Sequence, residues 1–268
     1  MRRLIYLTLA LCLLLSACGG EDGESLDVAF VDEAELDAVM AGVERFNSAS
    51  RRRVVCSLSI NEGEDSRYFT QGTFSYCTDK PVGMSGAITQ VLDGKAVTQD
   101  VFYKAGAYYY GTKEGKYYAI MDSSVVTDSF YCRPLPTVTA ESVVSFRTAD
   151  SSLGKKYVYK TDNCDFLSSL FDEALSEYSG VKKAIAEKTV YTNGELSYVV
   201  SDDGNLAAFT ASCTVTMVDT PAYYPTGFVK SEAELSHSFT AKLELTVKAV
   251  GDKVYVILPD TKDYIFLG

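Results

Sequence analysis

Apolar positions recur along this chain at two spacings, and the changes between them mark its elements. Over residues 33–47, Leu36, Val39, Met40, Val43 and Phe46 fall close to i, i+3, i+4, i+7, which is one face of a helix. Asp32 stands at the N-cap position, and Glu35 three residues on completes a capping-box arrangement. From Arg53 the period drops to two: Val54, Cys56, Leu58 and Ile60 share one face, with Val55, Ser57 and Ser59 on the other. Residues 61–64 (Asn-Glu-Gly-Glu) read as a turn. A second strand follows over 68–78, with Tyr68, Phe74 and Tyr76 on one side. Further strands are predicted at 84–92, 96–104, 107–111 and 116–121, with Asp93-Gly94 and Glu114-Gly115 as sharp turns. This is an antiparallel meander.

Regularity lapses over 122–150, where Arg133-Pro134-Leu135-Pro136 marks a loop. A strand at 156–161 leads into a second helix near 164–178, with Leu167, Leu170, Phe171, Ala174 and Tyr178 as its buried face and Gly180 as its stop. Strands at 188–192 and 196–200 flank an Asn193-Gly194 turn, and Asp203-Gly204 makes the next. Phe209, Ala211, Cys213, Val215 and Met217 then alternate with threonine and serine, as a half-buried strand requires. Leu243, Leu245, Val247 and Ala249 repeat the pattern against Lys242, Glu244, Thr246 and Lys248. Gly251-Asp252 turns the chain into a strand at 253–258, and 264–267 closes the sheet edge. Residues 219–236 interrupt this rhythm with Pro221, Tyr223, Tyr224, Pro225, Gly227 and Phe228. Long connections inside compact β domains are commonly functional or mobile. A loop pinned by its tyrosines is the plainer reading, and a cover over an apolar cavity the functional one.

The amino terminus has a different character. Arg2 and Arg3 precede an apolar run over 4–15, which is too short for a span that needs roughly 20 residues and reads as a secretory signal. Leu15-Ser16-Ala17-Cys18 resembles the lipobox of bacterial lipoproteins. That resemblance implies cleavage between Ala17 and Cys18 and a diacylglyceryl thioether on Cys18, with several acyl chains making a firm membrane anchor. The charged, glycine-containing residues 19–25 form a tether, and the dozen or so residues after Cys18 reach about 20 Å as a random coil. The expected organisation is a signal peptide at 1–17, a lipidated tether at 18–31 and one β-rich domain at 32–268.

Composition narrows the chemistry. Hydrophobic residues make up 47% of the chain, enough for a full core. Loss of Arg2 and Arg3 takes the formal charge from −11 to −13, which argues against nucleic acid as a partner and against electrostatic docking on anionic lipid. Five cysteines remain after Cys18: Cys56, Cys77, Cys132, Cys164 and Cys213. Their spacing supports neither a zinc site nor a CxxC redox motif, and no cofactor is expected. Cys56 and Cys213 fall on apolar strand faces as buried thiols, while a bridge among Cys77, Cys132 and Cys164 stays open. His237 is the only histidine, so an HExxH site is impossible, and no serine sits in a GxSxG elbow. Asp202-Asp203-Gly204-Asn205 lacks the alternating ligands and distal glutamate of a calcium loop and reads as a hairpin turn. Tyr108-Tyr109-Tyr110 and Tyr117-Tyr118 suit strands, where successive side chains face opposite ways.

The order of elements is an amino-terminal helix, a long meander, a mid-chain helix, then more long strands. It resembles periplasmic lipoprotein carriers and mycobacterial lipid-carrier lipoproteins, and uncharacterised Gram-positive lipoproteins of that architecture. The resemblance implies an α+β fold in which one strongly curved antiparallel sheet, an unclosed barrel, packs on the two helices and leaves an apolar cavity. Leu36, Val39, Met40, Val43, Tyr223, Tyr224 and Phe228 would line such a cavity; for the helical stripe, core packing is the competing expectation. The function expected is that of a non-enzymatic, monomeric, extracytoplasmic lipoprotein, held on the cell membrane by lipid at Cys18, that binds a lipid or other hydrophobic molecule. A cell-envelope interaction protein with a filled core is the alternative, and an envelope hydrolase a third reading with no motif behind it.

Overall fold

Asp32 opens the first helix, α1 (Glu33–Ser48), by accepting from the backbone N–H groups of Ala34 at 2.9 Å and Glu35 at 3.4 Å. The expected capping box does not close, because the Glu35 carboxylate instead takes the Lys155 ammonium at 2.7 Å. The structure, a computed structural model, describes residues 32–92, 95–162, 164–178, 186–219 and 236–267. Asp93-Gly94, Gly180, the 220–235 segment with Tyr223, Tyr224 and Phe228, and the amino-terminal residues with Ala17 and Cys18 lie outside them.

Twelve strands form one sheet. They are β1 (Arg51–Glu62), β2 (Asp65–Cys77), β3 (Gly83–Leu92), β4 (Lys95–Lys104), β5 (Ala107–Gly111), β6 (Lys116–Ile120), β7 (Ser145–Ser151), β8 (Gly154–Thr161), β9 (Ala186–Val200), β10 (Leu206–Asp219), β11 (Ser236–Val250) and β12 (Ile265–Phe266). Their order is β12-β6-β5-β4-β3-β2-β1-β11-β10-β9-β8-β7, so two edges remain and no barrel closes. All pairings are antiparallel except β12 on β6. The architecture is α+β, mainly antiparallel β, as expected.

One face of this sheet carries the core. Val54, Cys56, Leu58 and Ile60 of β1 are buried with Phe209, Ala211, Cys213, Val215 and Met217 of β10 and Phe239, Leu243 and Leu245 of β11. α1 brings Leu36, Val39, Val43 and Phe46 to β9 and β10. A 3₁₀ turn (Asp165–Leu167) and α2 (Ser168–Tyr178) bring Leu167, Leu170, Phe171, Ala174 and Leu175 to β1 and β2. Burying one such side chain contributes about 1.5–3 kcal/mol, so these stripes decide where the helices lie. Polar latches then fix α1: Arg45 donates to Gly204 O, and Asn47 exchanges hydrogen bonds with the Leu135 backbone at 2.8 and 2.9 Å. The buried Arg52 guanidinium lies over the rings of Phe46 and Tyr76, 4.8 and 5.0 Å from their centroids. Phe74 lies on the sheet because Gly72 and Gly86 leave room; a Cβ at either would come within 2.7 Å of its ring. Tyr131 stacks on its other face at 3.8 Å.

Three expectations are corrected. Residues 122–150 are not all irregular, since β7 lies there. It is an edge strand whose only buried apolar residue is Phe146, too little to show as alternation. Asn193-Gly194 is no hairpin but a bulge in the 15-residue strand β9: Thr192 to Glu195 spans only Thr214 to Ser212 of β10, and Asn193 takes φ 52°. Residues 253–258 form no strand; after a 3₁₀ turn (Gly251–Lys253) the chain runs unpaired to β12. β12 does close the sheet edge, but in parallel.

Candidate functional site

The other face of the sheet, turned away from α1 and α2, holds a cavity of about 530 Å³. Two cross-strand rows line it. The first runs Ala87, Thr73, Val55, Thr246, Ala208, Val199, Lys156, from β3 through β2, β1, β11, β10 and β9 to β8. The second, one pleat along, runs Thr89, Gln71, Ser57, Glu244, Thr210, Ser197. The first row thus mixes small apolar residues with Thr73 and Thr246 up to its lysine, and the second is polar throughout. The tip of the β7–β8 hairpin, Ser151–Ser152–Leu153, lines the same cavity as β2 and β3 across the sheet. Val158, Ser197 and Val199 are buried although they face away from the helices. Cavities of about 300–1,000 Å³ with apolar walls and a few polar groups are typical ligand sites.

The charges around this groove are mostly spoken for. Glu244 accepts from the Lys242 ammonium at 2.7 Å with one oxygen and from the Ser57 hydroxyl at 3.4 Å with the other. Asp150 faces Lys155 across the hairpin, and Lys155 itself reaches α1 through Glu35.

The expected lining residues of the helix lie elsewhere. Leu36, Val39 and Val43 are 5%, 1% and 0% exposed, and the Met40 sulfur accepts from the Val138 N–H at 3.4 Å. They fill the helix side of the sheet, and none borders the groove. What the alternation left unread was the outward set: Val55, Val199 and Ala208 sit at positions that a solvated face would fill with charges. That was the available signal.

The chemical candidates settle into structural places. His237 lies in β11, its ring parallel to Phe239 at 6.5 Å. Among the described residues, no group of three or more His, Cys, Asp or Glu side chains is placed to hold a metal. Cys56, Cys77, Cys132, Cys164 and Cys213 are all free thiols. Burial pushes the Cys132 thiol up to about 11 and Cys213 up to about 12, and raises Cys56 further. Inert buried thiols behave this way, and nucleophiles the opposite. Asp203 accepts from the Ser201 hydroxyl and the Asn205 N–H, hydrogen bonds that hold its carboxyl below the usual range and tie a hairpin turn. Phe102, Tyr109, Tyr118 and Phe266 form a cross-strand aromatic row, with Tyr109–Tyr118 at 5.4 Å and Tyr118–Phe266 at 5.2 Å. Tyr109 and Tyr118 cover each other's faces, so the row does not present the flat platform that a sugar ring stacks on.

No protein-family model matches this chain, and no curated protein matches it. Among solved structures, the chain is similar to LprF from Mycobacterium bovis, with 8% identity over 85% of this chain and 98% of that one, at a TM-score of 0.47. It is also similar to a putative outer membrane lipoprotein-sorting protein domain from Vibrio parahaemolyticus (8% identity, 84% and 94% covered, TM-score 0.21). A LolA superfamily protein from Nitrosomonas europaea is similar in the same way (10% identity, 85% and 96% covered, TM-score 0.22). These are the groups that the order of elements resembles, and the likeness is one of chain course alone.

Proposed function

We propose that this chain is a non-enzymatic, lipid-anchored extracytoplasmic protein that holds a hydrophobic ligand in the groove on the sheet face away from the helices. The observation that carries this reading is the 530 Å³ groove itself, where a row of alanine, valine and threonine, ending in Lys156, crosses seven strands beside a polar row across six. Apolar burial at about 25 cal/mol per Å² would drive binding, and the polar row would orient the ligand. The lipobox-like Leu15-Ser16-Ala17-Cys18 supplies the anchor, through lipid on Cys18. Native mass spectrometry of the body from Ser25 to Gly268, followed by organic extraction, tests the reading. A near-stoichiometric bound lipid, or a mass shift when acyl lipids are added, is the expected result. A clean apo mass under both conditions refutes it.

A second reading has one observation in its favour. The helix side of the sheet is filled, while Ile120, Ile265, Phe266 and Leu267 are exposed around the β6–β12 edge. An envelope interaction protein would use such an edge, and a clean apo mass would make it the leading reading.

A further inference from the structure

Three charged residues line the groove, Asp150, Glu244 and Lys156, and Lys156 is the one cation among them; its position gives a bound ligand a direction. Resting on the binding reading above, we infer that the groove takes a single-chain anionic amphiphile, its head group on the Lys156 ammonium and its chain along Val199, Ala208 and Val55.

Three observations converge. First, Lys156 is the last cavity-lining residue of the first row, whose other members are alanines, valines and threonines. It pairs in register with Val199, which pairs with Ala208, then Thr246, then Val55. An alkyl chain laid on this row therefore has its β8 end beside an ammonium. Second, Glu244 is held by Lys242 and Ser57, and Asp150, which also borders the cavity, stands in register with Lys155 across the hairpin and not with Lys156. Among the described residues, no carboxylate lies within ion-pair distance of Lys156. The chain's overall acidity opposes an anion only weakly here, since charges beyond about 8–10 Å are screened at physiological salt.

Third, the volume fits one chain. From β3 to β8 there are six interstrand spacings of about 4.8 Å. Spread along that length, 530 Å³ leaves a mean cross-section on the order of 20 Å². That is room for one alkyl chain along the row. Leu153, 42% exposed at the hairpin tip, supplies an apolar side chain next to the lysine end.

The test uses the chain from Cys18 to Gly268, made without acylation, and displacement of the neutral fluorophore N-phenyl-1-naphthylamine. Palmitate, hexadecanol and hexadecyltrimethylammonium are compared below their micelle concentrations. Palmitate is expected to bind about five- to tenfold tighter than hexadecanol, the gain of one partly solvated charge-assisted contact. Lys156→Gln should abolish that difference by weakening palmitate most, and Lys156→Glu should move the preference to the cationic amphiphile. Lys155→Gln, on the opposite face, should alter none of the three. Ala208→Phe, which fills the middle of the row, should weaken all three while the urea midpoint confirms that the variant is folded. Equal binding of palmitate and hexadecanol to the parent chain overturns the inference and leaves the binding reading standing. Failure of all three to displace the fluorophore overturns the binding reading as well. Retention of full affinity in folded Ala208→Phe places the chain elsewhere and overturns the inference.

Discussion

Replacing Gly194 by alanine tests why a sequence pair typical of hairpins sits in an unbroken strand. Gly194 lies in the β9 bulge, opposite Thr161 of β8. A Cβ there would stand 2.4 Å from the Cys164 sulfur and 2.9 Å from Thr161 Cγ2, both inside contact distance. Cys164 is fully buried, and its thiol donates to Thr161 O at 3.4 Å, so it has little freedom to withdraw. Gly194→Ala should therefore destabilise by about 1–3 kcal/mol, the range for overpacking. Cys164→Ala, which removes one buried heavy atom, should cost about 1–1.5 kcal/mol. In the double variant the new methyl occupies the space that the sulfur leaves. The double should then be about 1–2 kcal/mol more stable than the sum of the singles, well beyond the roughly 0.5 kcal/mol scatter of independent sites. Urea unfolding at pH 7 under reducing conditions measures this, with the slope m constant across the four proteins. In a body of this size 1 kcal/mol also moves Tm by about 2–4 °C. Strict additivity would refute the account, because it would mean that Cys164 is not what excludes a side chain at 194.

Alkali should weaken the fold early. Thiols of Cys56, Cys132 and Cys213 ionise near 8.5 when unfolded but are raised by burial, Cys132 to about 11 and Cys213 to about 12. Their neutral forms are favoured when folded, so this stability is full below pH 8.5 and is lost as pH rises through the window to 11. Each group removes about 1.4 kcal/mol per pH unit there; an unchanged urea midpoint from pH 8 to 10 would contradict the burial of these thiols. Phe74→Ala should destabilise by about 3–5 kcal/mol, because it strips the cover from Gly72 and Gly86 and leaves Tyr131 without its stacked partner; a loss under 1 kcal/mol by urea unfolding would contradict that packing. At the start of α1, Asp32→Ala should cost about 1 kcal/mol as a lost N-cap. Lys155→Met should stay within about 1 kcal/mol, since the ion pair with Glu35 is 44% and 36% exposed on its two sides; thermal unfolding ranks the two, and the reverse order would contradict the geometry.

Much of the architecture could be read from local pattern. A period of two shows which side of a strand is buried, and Val54 to Ile60 and Phe209 to Met217 are buried as their alternation implies. The same holds for Leu36, Val39, Val43 and Phe46 on α1, whose face follows from helical geometry alone. The capping aspartate and the Asp203-Gly204 turn are equally local, since each is made by atoms a few residues apart. The sequence also carries the whole case for the anchor at Cys18.

Tertiary structure decided what depends on distant partners. Asn-Gly encodes a left-handed backbone step, and that step suits a hairpin or a bulge equally; pairing of β9 along β10 on one side and β8 on the other chose the bulge. β7 exists because β8 offers it an edge, since its own residues bury too little to announce a strand. The groove is the furthest from local reading. Its rows draw one residue from each of six or seven strands, most of them far apart in the sequence. Val55, Val199 and Ala208 look like ordinary outward positions until register sets them side by side, with Lys156 at the end of the row.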